Sequence, residues 1–281
     1  MTGNRTPQLR IAQLSDLHLV TPGHRLFDRV DPWENLERAL ARAESLNADV
    51  LIVTGDVLNH ATAGSAAARD LYRAFARTLT DTLRVPWFVV PGNHDDPELL
   101  AEVCGDHMPE HSAEFDWHTH LNGFRIVGLN THGQNTRAGH LTETQRHWLR
   151  STLETPAEHG TVIAMHHPPI DTVHPFFTFA RLADAEALET VLPHSDTRLV
   201  LSGHFHLPTS GLLGGVPVWV SGAVSFTNEA DTETSRMRST RVSMMSFAEL
   251  TPKGHVITPV VLDNSGDLVV RTLTTAQPSS T

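Results

Sequence analysis

Two periodicities alternate along the first hundred residues. Leu9–Leu14 (Leu-Arg-Ile-Ala-Gln-Leu) reads as a strand, and Val50–Thr54 (Val-Leu-Ile-Val-Thr) is a short continuous apolar run, the pattern of a strand covered on both faces. Between them, Asp31-Pro32 offers a capping carboxylate and a proline for the first helical position. The apolar stripe beyond it is Trp33, Leu36, Leu40 and Ala43, which predicts a helix. A second, alanine-rich helix is expected over about 66–83, a third strand over Trp87–Val90, and another helix after Asp96-Pro97. This β-α-β-α-β order predicts an α/β fold with a parallel sheet and right-handed crossovers.

After Cys104 the texture changes. Strands are expected over 114–119 and 124–130, then a helix opened by the capping box Thr142…Gln145. Thr161–Met165 reads as a strand, 184–192 as a helix and 198–201 as a strand. From residue 209 the pattern is mainly β: Thr209–Leu213, Val216–Val220, 241–247, 255–261 and 268–272. No repeat and no Gly-, Ser- or Pro-rich linker marks a boundary, so one domain over 1–274 with two packed sheets is expected. Residues 275–281 form a polar tail expected to be disordered.

Composition narrows the chemistry. Among 281 residues the formal net charge is −11, which argues against a general nucleic-acid binder. Cys104 is the one cysteine, so no disulfide framework exists; its apolar neighbours Leu99, Leu100 and Val103 predict an inert buried thiol. Residues 1–10 lack an apolar signal-peptide core and no run approaches a membrane span. A soluble cytoplasmic protein is expected, with room for a homodimer. Lys253 is the one lysine and lies in a polar turn, which excludes a P-loop lysine. Histidine is the opposite case: 19 copies against one tyrosine. Neutral imidazole is the commonest protein metal ligand, so composition points to metal.

Five short motifs each come directly after an apolar strand: Asp16-Leu-His18, Gly55-Asp56, Gly92-Asn93-His94-Asp95, His166-His167-Pro-Pro and Gly203-His204-Phe-His206. The carboxyl ends of strands are where open α/β sheets place their sites. Asp16 and His18, at i and i+2, are expected to share a face of extended backbone, and His204 and His206 to repeat that geometry. Asp56 can bridge two ions through its two oxygens, Asn93 adds a neutral oxygen, and His166 another imidazole. Two divalent ions can hold a bridging hydroxide and clamp the oxygens of an in-line displacement. Against two carboxylates and that hydroxide the ions leave the site near +1, enough to attract an anion to an acidic protein. An aspartate in place of Asn93 would cancel that surplus.

The ordered blocks D-x-H, G-D, G-N-H-D, H and G-H-x-H resemble those of the calcineurin-like metallophosphoesterase superfamily, across Asp16 to His206. The resemblance implies a four-layer α/β/β/α sandwich of two mixed sheets flanked by helices. It assigns Asp16, His18, Asp56 and His206 to one metal, and Asp56, Asn93, His166 and His204 to a second. Those ions would be iron, manganese or zinc, since mixed carboxylate, amide and imidazole ligands admit all three. His94 would contact the phosphate or protonate the leaving alkoxide, oriented by Asp95. Asn59 stands where purple acid phosphatases carry a tyrosine. The Asp-Arg-Gly extension of protein serine/threonine phosphatases is missing, and His94 stands where lipid A pathway pyrophosphatases have arginine. Gly-Asn-His-Asp-Asp with His-His-Pro-Pro instead resembles bacterial class III cyclic nucleotide phosphodiesterases and glycerophosphodiesterases. The implied activity is hydrolysis of a small phosphodiester, a 3′,5′-cyclic nucleotide (cAMP) first and a glycerophosphodiester second. A non-catalytic scaffold of the same fold is the reading from another class, though such proteins lose ligands and this chain keeps the set.

Other residues carry weaker expectations. His167 is read as a support for the ligands and not as one of them. His107, His111, His118 and His120 are read as solvated surface, and His60 as a pocket neighbour by position alone. Phe176, Phe177 and Phe179, beyond His174, are read either as a lid stacking on a base or as a plug in the core, the plug being favoured.

Overall fold

The computed structural model describes residues 9–61, 64–133, 137–231, 236–263 and 269–274. In chain order the strands and helices are β1 (Leu9–Leu14), α1 (Pro32–Ser45), β2 (Val50–Thr54), α2 (Ala66–Thr82), β3 (Trp87–Val90), α3 (Pro97–Cys104), β4 (Trp117–Leu121) and β5 (Phe124–Leu129). Next come α4 (Glu143–Leu153), β6 (Thr161–Met165), α5 (Ala185–Glu189), β7 (Thr197–Ser202), β8 (Thr209–Leu213) and β9 (Val216–Val220). The last strands are β10 (Thr227–Asp231), β11 (Arg236–Thr240), β12 (Ser243–Thr251), β13 (Gly254–Asp263) and β14 (Val269–Thr274).

The caps read from the sequence form. Asp31 accepts hydrogen bonds from the amides of Trp33 and Glu34, Asp96 accepts from Leu99, and Thr142 and Gln145 close a reciprocal box. One sheet runs β13-β12-β1-β2-β3 and the other β4-β5-β6-β7-β9-β8; each mixes parallel and antiparallel pairs. In the second sheet side chains divide by parity. Ile126, Val162, Ala164, Leu199 and Leu201 face the first sheet, while Val127, Leu129, Ile163, Met165 and Val200 pack on Leu149 and Leu153 of α4 and Leu188 of α5. Leu36 and Leu40 of α1 and Tyr72 and Phe75 of α2 cover the outer side of the first sheet. The result is the α/β/β/α sandwich of two mixed sheets.

Several boundaries move, each for a physical reason. The strand expected over 114–119 begins at Trp117, because Ser112 Oγ accepts from the amides of Glu114 and Asp116 and curls that segment into a turn. The helix expected over 184–192 stops at Glu189 and gives way to a 3₁₀ turn at Leu192–His194, where Pro193 lacks the amide an α-helix needs. A third sheet, β10-β11-β14, was not expected. Its strands Thr-Asn-Glu-Ala-Asp and Arg-Met-Arg-Ser-Thr carry no apolar alternation; they pair with each other over a short separation, and β11 pairs with the distant β14. The strand expected over 241–247 is β12, which starts at Ser243. The tail 275–281 lies outside the described residues.

Candidate metal centre

The five motifs meet at one end of the two facing sheets. β1, β2 and β3 run parallel, so the loops after them lie side by side; β6 and β7 bring the other two across from the second sheet. All of the expected ligands come together. The ligand atoms of Asp16, His18 and His206 lie within 4.8 Å of one another, as do those of Asp16, Asp56 and His166, and those of His18, Asp56 and His94.

The backbone that presents them is not the extended one expected from the i, i+2 spacing. Asp16 (φ 54°), His18 (φ 48°), Asp56 (φ 52°), His204 (φ 70°) and His206 (φ 52°) all occupy the left-handed region. Each such residue costs on the order of 1–3 kcal/mol, and such strain persists only where surroundings over-determine it. Here they do. The amides of Asp16 and His18 donate to the carbonyls of Gly55 and Asp56 at 3.0 Å, stitching the first loop to the second. Ser225 Oγ donates to the Asp16 carbonyl at 2.6 Å, and the amide of His204 donates to Asp16 Oδ2 at 3.0 Å. Glycine provides the clearance. A Cβ on Gly55 (φ +89°) would stand 2.5 Å from His166 Nδ1, and one on Gly92 would run into the Asp56 carboxylate.

Hydrogen bonds fix which ring nitrogens face inward. His166 Nδ1 lies 2.8 Å from the Thr54 carbonyl, and His206 Nδ1 lies 2.8 Å from that of Phe226. A carbonyl only accepts, so both Nδ1 atoms carry a proton, and in the neutral rings both Nε2 atoms would present lone pairs to the site. His206 Nε2 then meets His18 Nε2 at 3.0 Å and Asp16 Oδ1 at 3.3 Å. His166 Nε2 meets His204 Nδ1 at 3.1 Å, Asn93 Oδ1 at 3.2 Å and Asp56 Oδ2 at 3.4 Å. Atoms able to ligate a metal crowd together here. Asp16 Oδ1 is buried and accepts no hydrogen bond. A cation satisfies such a cluster, and the residues present fit a pair of divalent ions.

The titrations agree in direction. Burial pushes the Asp16 and Asp56 carboxyls up, but His206 and His166 respectively outweigh it and hold both well below the usual range. Burial drops His18 and His204 to about 3, so they stand as neutral ligands. Burial also lowers His166, yet the Asp56 carboxylate overrides it and raises the imidazole to about 9. A bound cation would displace that proton and take its place beside the Asp56 carboxylate.

His94 is half-buried, edge-on to His18 with ring centroids 4.8 Å apart, and its amide donates to Asp56 Oδ1 at 2.9 Å. The expectation that Asp95 orients it is corrected: His94 Nδ1 is paired with the Asn59 carbonyl. Asp95 instead accepts from the amides of Gly92 (2.8 Å), Val57 (3.1 Å) and Leu58 (3.1 Å) and from the Tyr72 hydroxyl (3.0 Å), binding the second loop to the third. Asn59 escaped the sequence reading because its contribution is a backbone carbonyl, which no side chain announces.

His167 is buried with Nδ1 2.8 Å from Thr131 Oγ1 and its ring 4.7 Å from that of His204. The His107 ring stacks on Trp87 at 3.4 Å, and none of His107, His111, His118 and His120 joins a metal-like cluster among the described residues. His60 is exposed while its neighbour Asn59 lines the cavity, and His174 is buried beneath Phe176 and Phe177. Beside the ligands opens a cavity of about 420 Å³ walled by Phe27, Phe226, Phe176, Phe179 and Arg137. Cys104 is buried and its thiol is pushed up to about 12, so it is inert.

This sandwich, with carboxylate, amide and imidazole ligands at its edge, defines a metal-dependent phosphoesterase. Residues 9–208 match the model of the calcineurin-like phosphoesterase family, and the chain belongs to that family. It is 33% identical over 225 residues to a cAMP/cGMP dual specificity phosphodiesterase of Mycobacterium tuberculosis, covering 79% of this chain and 70% of that protein. It is 31% identical over 239 residues to a "Probable cyclic nucleotide phosphodiesterase" of Rhodococcus erythropolis, covering 83% of this chain and 76% of that protein. A dimetal phosphatase from Danio rerio shares the fold at a TM-score of 0.56 and 14% identity, covering 91% of this chain and 99% of that one. Among the described residues no helix is long and apolar enough to cross a membrane.

Proposed function

We propose that this protein is a two-metal phosphodiesterase whose preferred substrate is a 3′,5′-cyclic nucleotide. The observation that carries the metal reading is the convergence at one point of ring nitrogens of His18, His206, His166 and His204 with side-chain oxygens of Asn93, Asp16 and Asp56. Asp16, His18, Asp56 and His206 would hold one ion, and Asp56, Asn93, His166 and His204 the other. When bound, two divalent ions supply a water activated at neutral pH and a clamp on the phosphoryl oxygens. The chain's own residues do the rest. The carbonyls of Thr54 and Phe226 aim the lone pairs of His166 and His206. Asn93 keeps the ligand set from carrying a third negative charge. His94, with Nδ1–H held on the Asn59 carbonyl, lines the cavity; as the imidazolium it carries a second proton on Nε2 that can pass to the leaving oxygen. The cyclic nucleotide preference is supported by the activities for which the two relatives are named.

Initial rates with added manganese on 3′,5′-cyclic AMP and on glycerophosphoethanolamine, side by side, test the reading. Faster turnover of the cyclic nucleotide is the expected result. Turnover of the glycerophosphodiester alone would move the substrate class and keep the centre. No rate on either, together with no tightly held metal, would support the non-catalytic scaffold.

A further inference from the structure

The wall of the cavity facing the metal ligands is aromatic, and the metal chemistry does not use it. The chain leaves His166-His167 through Pro168-Pro169, makes a 3₁₀ turn at Pro175–Phe177, and returns where the Leu182 amide donates to the Pro168 carbonyl at 2.9 Å. Within it Phe177 is buried and packs on Phe205 at 5.1 Å between centroids, so that ring is the expected core plug. Phe205 sits between the ligands His204 and His206. The aromatic wall is thereby fixed at a set distance from the centre. Phe176, Phe177 and Phe179 all line the cavity, but Phe176 and Phe179 are less enclosed than Phe177: their centroids lie 5.9 Å apart, and Phe179 remains 49% exposed. The guanidinium of Arg137 lies 5.9 Å from the centre of the Phe179 ring.

We propose that Phe179 and Phe176, with Arg137, form the subsite that stacks the base of a nucleotide whose phosphate lies at the metal centre. This inference rests on the phosphodiester reading of that centre and adds what the rest of the substrate is. Aromatic walls recognise flat π-systems and also quaternary ammonium groups, and the two predict different substrates. Arg137 separates them. It already places a positive charge over Phe179, so a choline-like cation entering there meets like charge, whereas a neutral base meets no like charge and can stack on the guanidinium plane. Glycerol and ethanolamine offer neither face. The geometry therefore selects a nucleotide over the headgroups of glycerophosphodiesters.

The test is equilibrium binding of AMP, ribose 5-phosphate and phosphocholine to the manganese-loaded protein by calorimetry, with turnover of cyclic AMP measured alongside. The proposal expects AMP to bind at least about tenfold more tightly than ribose 5-phosphate, since a stacked base contributes about that much or more. The ratio should fall toward one in Phe179→Ala and return in Phe179→Trp, a rescue that a merely structural ring would not show. Equal binding of AMP and ribose 5-phosphate, tighter binding of phosphocholine than of AMP, or an unchanged ratio in Phe179→Ala would each overturn it. Failure to hydrolyse cyclic AMP with the AMP preference intact would remove the proposed reaction and leave the base subsite standing.

Discussion

At the scale of single residues, the neighbours His94 and Asp95 divide between them what the motif suggested they share. His94 reaches the cavity on a ring held by the Asn59 carbonyl; Asp95 is turned away and occupied by four donors. His94→Ala should therefore keep its metal content and lose on the order of 10²–10⁴ in kcat on a diester with a poor leaving group, the usual worth of a positioned acid. Elemental analysis showing lost metal would make His94 a ligand instead. Asp95→Asn should act on stability. Its amide nitrogen would face at least one backbone N–H, and the variant should unfold about 2–4 kcal/mol more easily by denaturant titration. Full stability with a lost rate would return Asp95 to the chemistry.

The loops and strands show where sequence pattern suffices and where it does not. β1, β2, β3 and β6 were legible because both faces are covered and their residues are largely apolar. The helices were legible from Asp31, Asp96 and Thr142, whose side chains cap the first turns of α1, α3 and α4. β10 and β11 were not, because their polar residues carry no period; pairing fixes them, with each other over a short separation and of β11 with the distant β14. The motif residues come together, but not through extended backbone: five of them sit at positive φ in interlocked turns. The turn before β4 makes its own prediction. Asp116 accepts from the Asn130 amide and the Gln145 side chain, both at 2.9 Å, and burial raises its carboxyl to about 7. A carboxyl raised above its unfolded value carries no penalty below about pH 4; the penalty grows as pH rises toward 7 and is constant above. Asp116→Asn should therefore gain in melting temperature over the parent from pH 4 to pH 7, with the difference level beyond. A difference independent of pH would show Asp116 ionised in the fold throughout that range.

For the molecule as a whole, charge and connectivity both converge on the centre. The net charge of −11 repels phosphate esters at a distance, so attraction must be local. Asn93→Asp adds one negative charge beside the phosphate and should lower phosphodiester turnover by on the order of 10- to 100-fold; an unchanged rate would contradict the charge argument. The site also depends on chain far beyond its last motif. β12 lies between β13 and β1, with Leu250 opposite Leu9, and Ser225 and Phe226 hold Asp16 and His206. Anomalous diffraction at the manganese edge, from crystals grown with manganese, locates any bound metal directly. Two peaks about 3.5–4 Å apart should appear, one among Asp16, His18 and His206, the other among Asn93, His166 and His204, with Asp56 touching both. A single peak, or peaks away from these side chains, would contradict the two-metal reading.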